Sequence, residues 1–170
     1  MPNARTFVHL AAFEELLLHK QDPERLRVIE YTLQRDHYHL IVEVPGGREG
    51  LAGAMRGFHG ALTKAWNALW QRRGGLFASY DECPLTNPRK ASNMVRYVLW
   101  NGWHHDVSGI GADKASSAPW TEAWSRPHPF PVPAIGLCPT YSASTTILRG
   151  AYRRFPLDPT LPPHTLVRRR

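Results

Sequence analysis

The sequence predicts an α+β fold, and three observations carry that reading. Arg27–Val44 holds two runs with the two-residue alternation of strands, joined by a short polar turn. Leu51–Arg73 places Leu51, Met55, Phe58, Leu62, Trp66 and Leu69 at three- and four-residue steps, the period of an amphipathic helix. A third segment opens on Asn87-Pro88, a good N-cap followed by proline at the first helical position, where its missing N–H costs nothing.

Taken in order, Phe7–His19 carries Phe7, Leu10, Phe13, Leu17 and Leu18 at helical spacing, and Asp22-Pro23 breaks it. Arg27–Gln34 is rich in β-branched and aromatic residues, which suits a strand. Gln34-Arg35-Asp36 is short enough to fold the next run back as an antiparallel hairpin. In that run His37, His39, Ile41 and Glu43 fall on one face, and Tyr38, Leu40, Val42 and Val44 form an apolar stripe on the other. The stripe locks the register, because a slip of one residue would bury the imidazoles. Two imidazoles about 6.6 Å apart along a strand can share one divalent metal.

Pro45-Gly46-Gly47 ends the strand. In the long helix, Gly53, Gly57 and Gly60 lower the helix propensity, so packing must hold it; Arg72-Arg73 suit its negative end and Gly74 its C′ position. Leu76–Glu82 reads as a further short strand. The helix after Asn87 has Met94, Val95, Val98 and Leu99 on its core side and stops at Gly102. Its other face aligns Asn93, Tyr97 and Asn101, with Lys90 nearby, and a tyrosine in a polar stripe is a candidate for chemistry. Residues 108–140 are rich in Gly, Ser and Pro and read as an irregular connection, and Ser142–Phe155 as a short helix weakened by Gly150. The expected organisation is a catalytic unit over 1–107, the connection over 108–140 and a basic tail over 141–170.

A length of 170 residues with 42% hydrophobic and 21% charged side chains is that of one globular domain. No apolar run approaches the roughly 20 residues that span a membrane. No secretion signal is visible, and Cys83 and Cys138 have no metal-type spacing, so reduced thiols in a cytoplasmic protein are expected. The net charge of +7 favours a polyanionic partner. From Tyr141 onward six arginines face a single aspartate, so five of those seven charges sit in the tail.

Taken singly these motifs are weak. His-x-His occurs in metal sites and on ordinary surfaces, Tyr97 and Asn101 could simply pack, and His104-His105 reads as an exposed pair. The combination is more specific. Asp36-His-Tyr-His-Leu-Ile-Val-Glu43, Leu69-Trp-Gln-Arg-Arg-Gly-Gly-Leu-Phe77 and Val95-Arg-Tyr-Val-Leu-Trp-Asn101 together resemble the REP-associated tyrosine transposases of the single-tyrosine HUH superfamily. The resemblance runs from about Phe7 to His105, with Leu148-Arg-Gly-Ala-Tyr-Arg-Arg154 similar to a tail element of some members.

The resemblance implies a ferredoxin-like antiparallel sheet with helices on one face. It implies Mg²⁺ or Mn²⁺ held by His37, His39 and Asn101, and Tyr97 as the nucleophile that nicks single-stranded or hairpin DNA through a 5′-phosphotyrosine. Lys90, Arg96, Arg149, Arg153 and Arg154 would grip the strand, tryptophans could stack its bases, and the protein would act as a monomer or homodimer. Members of the family begin with a strand beside the histidine strand. Only Met1–Thr6 precede the first helix here, so that strand is expected to be missing, through an upstream start or decay of the copy. The family's Asn-Pro-Val-Arg after the tyrosine helix is replaced by Asn101-Gly-Trp-His-His105. Two rival readings are a non-catalytic DNA-binding remnant and a metal hydrolase unrelated to DNA.

Overall fold

The computed structural model describes residues 3–20, 22, 24–105, 112–125 and 140–159, with the side chains of Trp103 and His104 left out. Cys138, Arg168–Arg170 and most of the Gly/Ser/Pro-rich connection therefore lie outside the described residues. The elements are α1 (Phe7–Lys20), β1 (Arg27–Leu33), β2 (Tyr38–Glu43), α2 (Gly47–Leu69), α3 (Pro88–Leu99), α4 (Asn101–His104) and α5 (Thr146–Arg154). Among the described residues the sheet is the antiparallel pair β1–β2, and no strand precedes α1. The α+β class and the antiparallel sheet are as expected.

The hairpin runs in register from Leu33 opposite Tyr38 to Arg27 opposite Glu43, and its turn closes where Gln34 N–H donates to the His37 carbonyl at 2.8 Å. A bulge between Val28 and Glu30 shifts the alternation by one residue. Val28 and Tyr31, three apart, thereby share a face. That face, with Leu33, Tyr38, Leu40 and Val42, packs on Phe13 and Leu17 of α1 and on Met55, Phe58, Leu62 and Trp66 of α2. The opposite face, through Ile29 and Ile41, packs on Val95, Val98 and Leu99 of α3 and on Leu148 and Ala151 of α5. The expectation placed helices on one face; the structure adds a second helical layer, and the histidine row of β2 looks into it.

Three local readings are corrected. The long helix begins at Gly47 and ends at Leu69, short of Arg72-Arg73. Gln71, at φ 51°, makes the left-handed turn that ends the helix, and Gly74, also at positive φ (100°), lies three residues beyond it. Gln71 N–H reaches Ala68 O at 3.3 Å and Arg72 N–H reaches Asn67 O at 2.9 Å, the pair of bonds that closes a Schellman motif. Second, Leu76–Glu82 forms no strand. Phe77 packs on Tyr38 and His59, and Glu82 pairs with Arg48 at 2.6 Å, so side chains rather than ladder bonds hold this segment. Third, Gly150 does more than weaken α5. A Cβ there would stand 3.2 Å from Cγ of Pro88, so its bare backbone lets α5 lie against the start of α3. The Asn87 cap is as the sequence suggests, its Oδ1 accepting from Lys90 N–H at 2.9 Å; α5 starts later than the expected Ser142, with Thr145 Oγ1 as its cap accepting from Leu148 N–H at 3.4 Å.

The outer edge of β1 is covered by irregular chain. Leu33 N–H donates to Ala115 O at 2.7 Å, Ser117 N–H to Tyr31 O at 3.0 Å and Tyr141 N–H to Val28 O at 2.8 Å. Buried carboxylates fasten these segments. Asp113 takes both amino groups of Arg5, at 2.6 and 2.7 Å, with Thr32 and Gln34 also donating to it. Burial works to raise its pKa, but the Arg5 hydrogen bonds and charge outweigh that and hold its carboxyl below the usual range. Glu43 accepts from Ser144 and Thr145 at the start of α5. Glu30, wholly buried, accepts the hydroxyls of Ser117 and Tyr152 at 2.5 Å each and that of Thr121.

Two outcomes follow. Burial raises the Glu30 carboxyl from 4.5 to about 7, even against its three hydroxyl donors. The folded state therefore favours the protonated form. That stabilisation is fully present below the unfolded value, fades as pH rises toward 7, and amounts to on the order of 3 kcal/mol. Denaturant midpoints should fall between pH 4.5 and about 7, and Glu30→Gln should flatten that slope. Gln71→Gly should raise stability by roughly 1 kcal/mol in the same assay, because glycine adopts the left-handed turn without strain.

Candidate active site

The site forms where the start of β2 meets the end of α3. Because Ile41 must face the α3 layer, alternation turns His39 the same way, two residues earlier. Burial of Val95, Val98 and Leu99 fixes the rotation of α3 and brings the half-buried Tyr97 onto that imidazole. The Tyr97 and His39 rings meet edge to face, with centroids 5.2 Å apart. His37 stands 5.0 Å from His39, and His105, in the turn after α4, stands 5.2 Å from His37. Three imidazoles and a phenol thus form one contiguous surface cluster.

The imidazoles differ in state. His37 Nδ1 donates to Asp36 Oδ1 at 2.8 Å, which leaves Nε2 with its lone pair free of that bond. The imidazole hydrogen bond is the first cause that holds the Asp36 carboxyl below its usual range. His39 is pushed down to about 4, first by burial and then by the charges His37 and His105 would carry, so at neutral pH it is the neutral imidazole that ligation requires. Its Nε2 is buried with no hydrogen-bond partner among the described residues. A buried polar atom left so costs about 1–3 kcal/mol. A metal ion is one partner that would remove that cost, and a carboxylate behind an imidazole is the usual outer support of a ligating histidine. The histidine pair therefore fits a divalent cation. Among the described residues no three His, Cys, Asp or Glu side chains already converge to hold one.

The remaining expected residues are placed as follows. Asn101 is fully buried, and both Oδ1 and Nδ2 lack hydrogen-bond partners among the described residues. The four-residue spacing from Tyr97 would align them on an unbroken helix, but α3 ends at Leu99 and Asn101 opens α4. Lys90 shares the Tyr97 face of α3, about 10 Å back along the axis. Arg96 is half-buried one residue before Tyr97. Arg149, Arg153 and Arg154 are exposed on α5. Phe155, the residue after Arg154, lies beneath Arg89 in the first turn of α3, with Arg89 Cζ 5.9 Å from its ring. These three arginines thus belong to the end of α3 away from Tyr97, and the structure does not bring them to the histidines.

A second tyrosine–histidine contact, Tyr38 with His59, lies on the opposite face of the hairpin. Phe77 stacks on His59 at 4.6 Å, and burial drives the Tyr38 pKa up, so this pair is packing. Two members of the cluster were not placed there by the sequence reading, which took His105 only as one of an exposed pair, and exposed it is. Asp36 was visible only as the residue before the first histidine. For His105, nothing local indicates that the short α4 turn brings it against His37.

Replacing Asp36 with Ala should weaken divalent-metal affinity 10- to 100-fold in calorimetric titration while leaving the unfolding midpoint within about 0.5 kcal/mol of wild type. Compared with family models, with curated proteins and with solved structures, the chain matches none.

Proposed function

We propose that this chain is a metal-dependent, transposase-type nickase and strand transferase for single-stranded DNA, with Tyr97 as its nucleophile. One observation carries the reading: a phenol on α3 and the His39 imidazole of β2, distant in sequence, meet edge to face, with His37, just before β2, beside His39. The motif resemblance and the net charge of +7 support it. No helix among the described residues is long and apolar enough to cross a membrane.

In the proposed reaction the Tyr97 oxygen attacks the scissile phosphorus as its phenolic proton passes to solvent. The bond to the 3′ oxygen breaks, and that oxygen takes up a proton to leave a 3′-OH. The 5′ phosphate stays on Tyr97 as a phosphodiester of similar energy, so a second 3′-OH can reverse the step and rejoin or transfer the strand. A bound Mg²⁺ or Mn²⁺ ion, held by His37 and His39 with Asn101 as the expected third ligand, would offset negative charge on the phosphate oxygens. Asp36 orients His37. Lys90 and Arg96 lie on or beside the Tyr97 face of α3, where a strand leaving the site would pass. Arg149, Arg153 and Arg154 would contact DNA only further along its backbone.

A second reading, a DNA-binding remnant without catalysis, is favoured by the bare two-stranded sheet and by the burial of Asn101. Incubation with Mn²⁺ and labelled hairpin-bearing single strands separates the two. The enzyme should give a covalent adduct stable to denaturing gel electrophoresis, and Tyr97→Phe should abolish it, a loss of at least 1,000-fold. Tight binding without adduct supports the remnant. Metal-dependent hydrolysis of other phosphoesters that survives Tyr97→Phe, but not His39→Ala, supports a hydrolase in which water is the nucleophile.

A further inference from the structure

We propose that the outer edge of β2 is a self-association surface, at which a second copy of this chain docks its own β2 to make a continuous four-stranded antiparallel sheet. The pairing is independent of the chemistry assigned to Tyr97.

The hydrogen bonds of the hairpin define this edge. Gln34 N–H donates to the His37 carbonyl, so alternation points the backbone groups of His39 and Ile41 at β1 and those of Tyr38, Leu40 and Val42 away from it. The same alternation turns Leu33, Tyr31 and Val28 outward on β1, and there each residue bonds to irregular chain, at Ala115, Ser117 and Tyr141. The backbone groups of Tyr38, Leu40 and Val42 have no such partner among the described residues. Leu76–Glu82 reaches this region through side chains, Phe77 on Tyr38 and Glu82 on Arg48, and adds no ladder bond. All three edge residues are only half-buried. Open edges are ordinarily guarded by proline, lysine or a bulge. Tyr38–Glu43 carries none of these: the bulge lies in β1, and the carboxylate of Glu43 is held by Ser144 and Thr145.

The strand that fits such an edge is extended and carries apolar residues on the α1/α2 side, and β2 is itself that strand. Antiparallel pairing about a two-fold axis sets Leu40 against its own copy and Tyr38 against Val42, each a pair that exchanges two N–H···O bonds. The apolar row then continues across the junction, with an aromatic–β-branched pair on either side of the leucines. On the other face this register puts His39 opposite Ile41 and His37 opposite Glu43, so no like charges meet. A slip of one residue would turn the second copy's imidazoles into the α1/α2 layer, which fixes the register. The gain is a sheet of more than two strands, the size at which sheets become stable in water.

The test uses the full chain. In sedimentation velocity wild type should pass from monomer to dimer between roughly 1 and 500 µM, as suits a small interface. Residue-resolved amide hydrogen exchange over the same range locates the contact. The amides of Tyr38, Leu40 and Val42 should slow by roughly 10-fold or more on association, while those of His39 and Ile41, already bonded to β1, should not change. Leu40→Lys and Leu40→Glu, each checked as folded by far-ultraviolet circular dichroism, should stay monomeric alone and re-form the dimer when mixed. A monomer at every concentration with the three amides in fast exchange overturns the proposal. So does a dimer in which they stay fast, because its interface then lies elsewhere. Slow exchange at the three amides in the monomer, whether from the chain itself or from another bound polypeptide, also overturns it. Should the Leu40 variants fail to fold, the wild-type exchange pattern decides alone.

Discussion

A two-stranded hairpin is marginal in water by itself, and everything else in this structure depends on how this one is buried. The remedy is to cover both faces. Leu40 and Val42 pack toward α1 and α2 while Ile41 between them packs toward α3, so each strand residue has a core to enter. The bulge at Val28/Glu30 is part of the same solution, since it lets one strand feed two cores out of strict alternation. The cost is a polar row, His37 and His39, aimed at a helical layer. It is met by ending that layer early, with a partly exposed tyrosine in place of a leucine at position 97 and a helix break just beyond it.

Three buried carboxylates hold the irregular chain that takes the place of further strands. Asp113 joins Arg5, before α1, to the far end of β1; Glu30 anchors the segment around Ser117 and Thr121 together with Tyr152 of α5; Glu43 caps the approach to α5. Each sits on or against the hairpin, and each is met by donors from segments distant in sequence. Removing one partner of the Arg5–Asp113 pair would strand a buried charge, a loss of about 3–5 kcal/mol for such pairs. Those bonds also cover the edge of β1 that would otherwise template association with another chain. Residues from the expected catalytic unit, connection and tail thus enter one packed body.

What the sequence made legible, and what it hid, divides along a physical line. Local signals were read correctly: Asn87-Pro88 as a helix start, the apolar row of β2, the four-residue stepping of α2. Each depends on neighbours within a turn or two. The errors depend on distant chain. Leu76–Glu82 has strand composition but makes no ladder, and Phe77 joins an aromatic cluster instead. Gly74 looked like the helix stop because glycine tolerates the left-handed turn, yet Gln71 adopts it three residues earlier, and nothing in its side chain announces that. Gly150 is a flaw in a lone helix and a fitting in this one, because only Pro88 reveals what it makes room for. In the site, the His37–His39 pair was legible from the strand period and Tyr97 stood out in a polar helix stripe, but their meeting was expected only from the family resemblance. Asp36 and His105 were not legible as members, since a turn and a helix break place them.

The same line explains why the site is partly exposed and partly buried. In the proposed reading a nucleophile and a ligand pair would need rigid supports, and β2 and α3, whose apolar residues are fixed by the cores, would give them. His39 lies at the boundary, buried enough that its pKa falls to about 4 and close enough to the surface that His37 and Tyr97 flank it. That intermediate depth is set by Ile41, two residues on, whose place in the α3 core leaves β2 no freedom to slide. The packing of one isoleucine thereby governs the chemistry available to the histidine beside it.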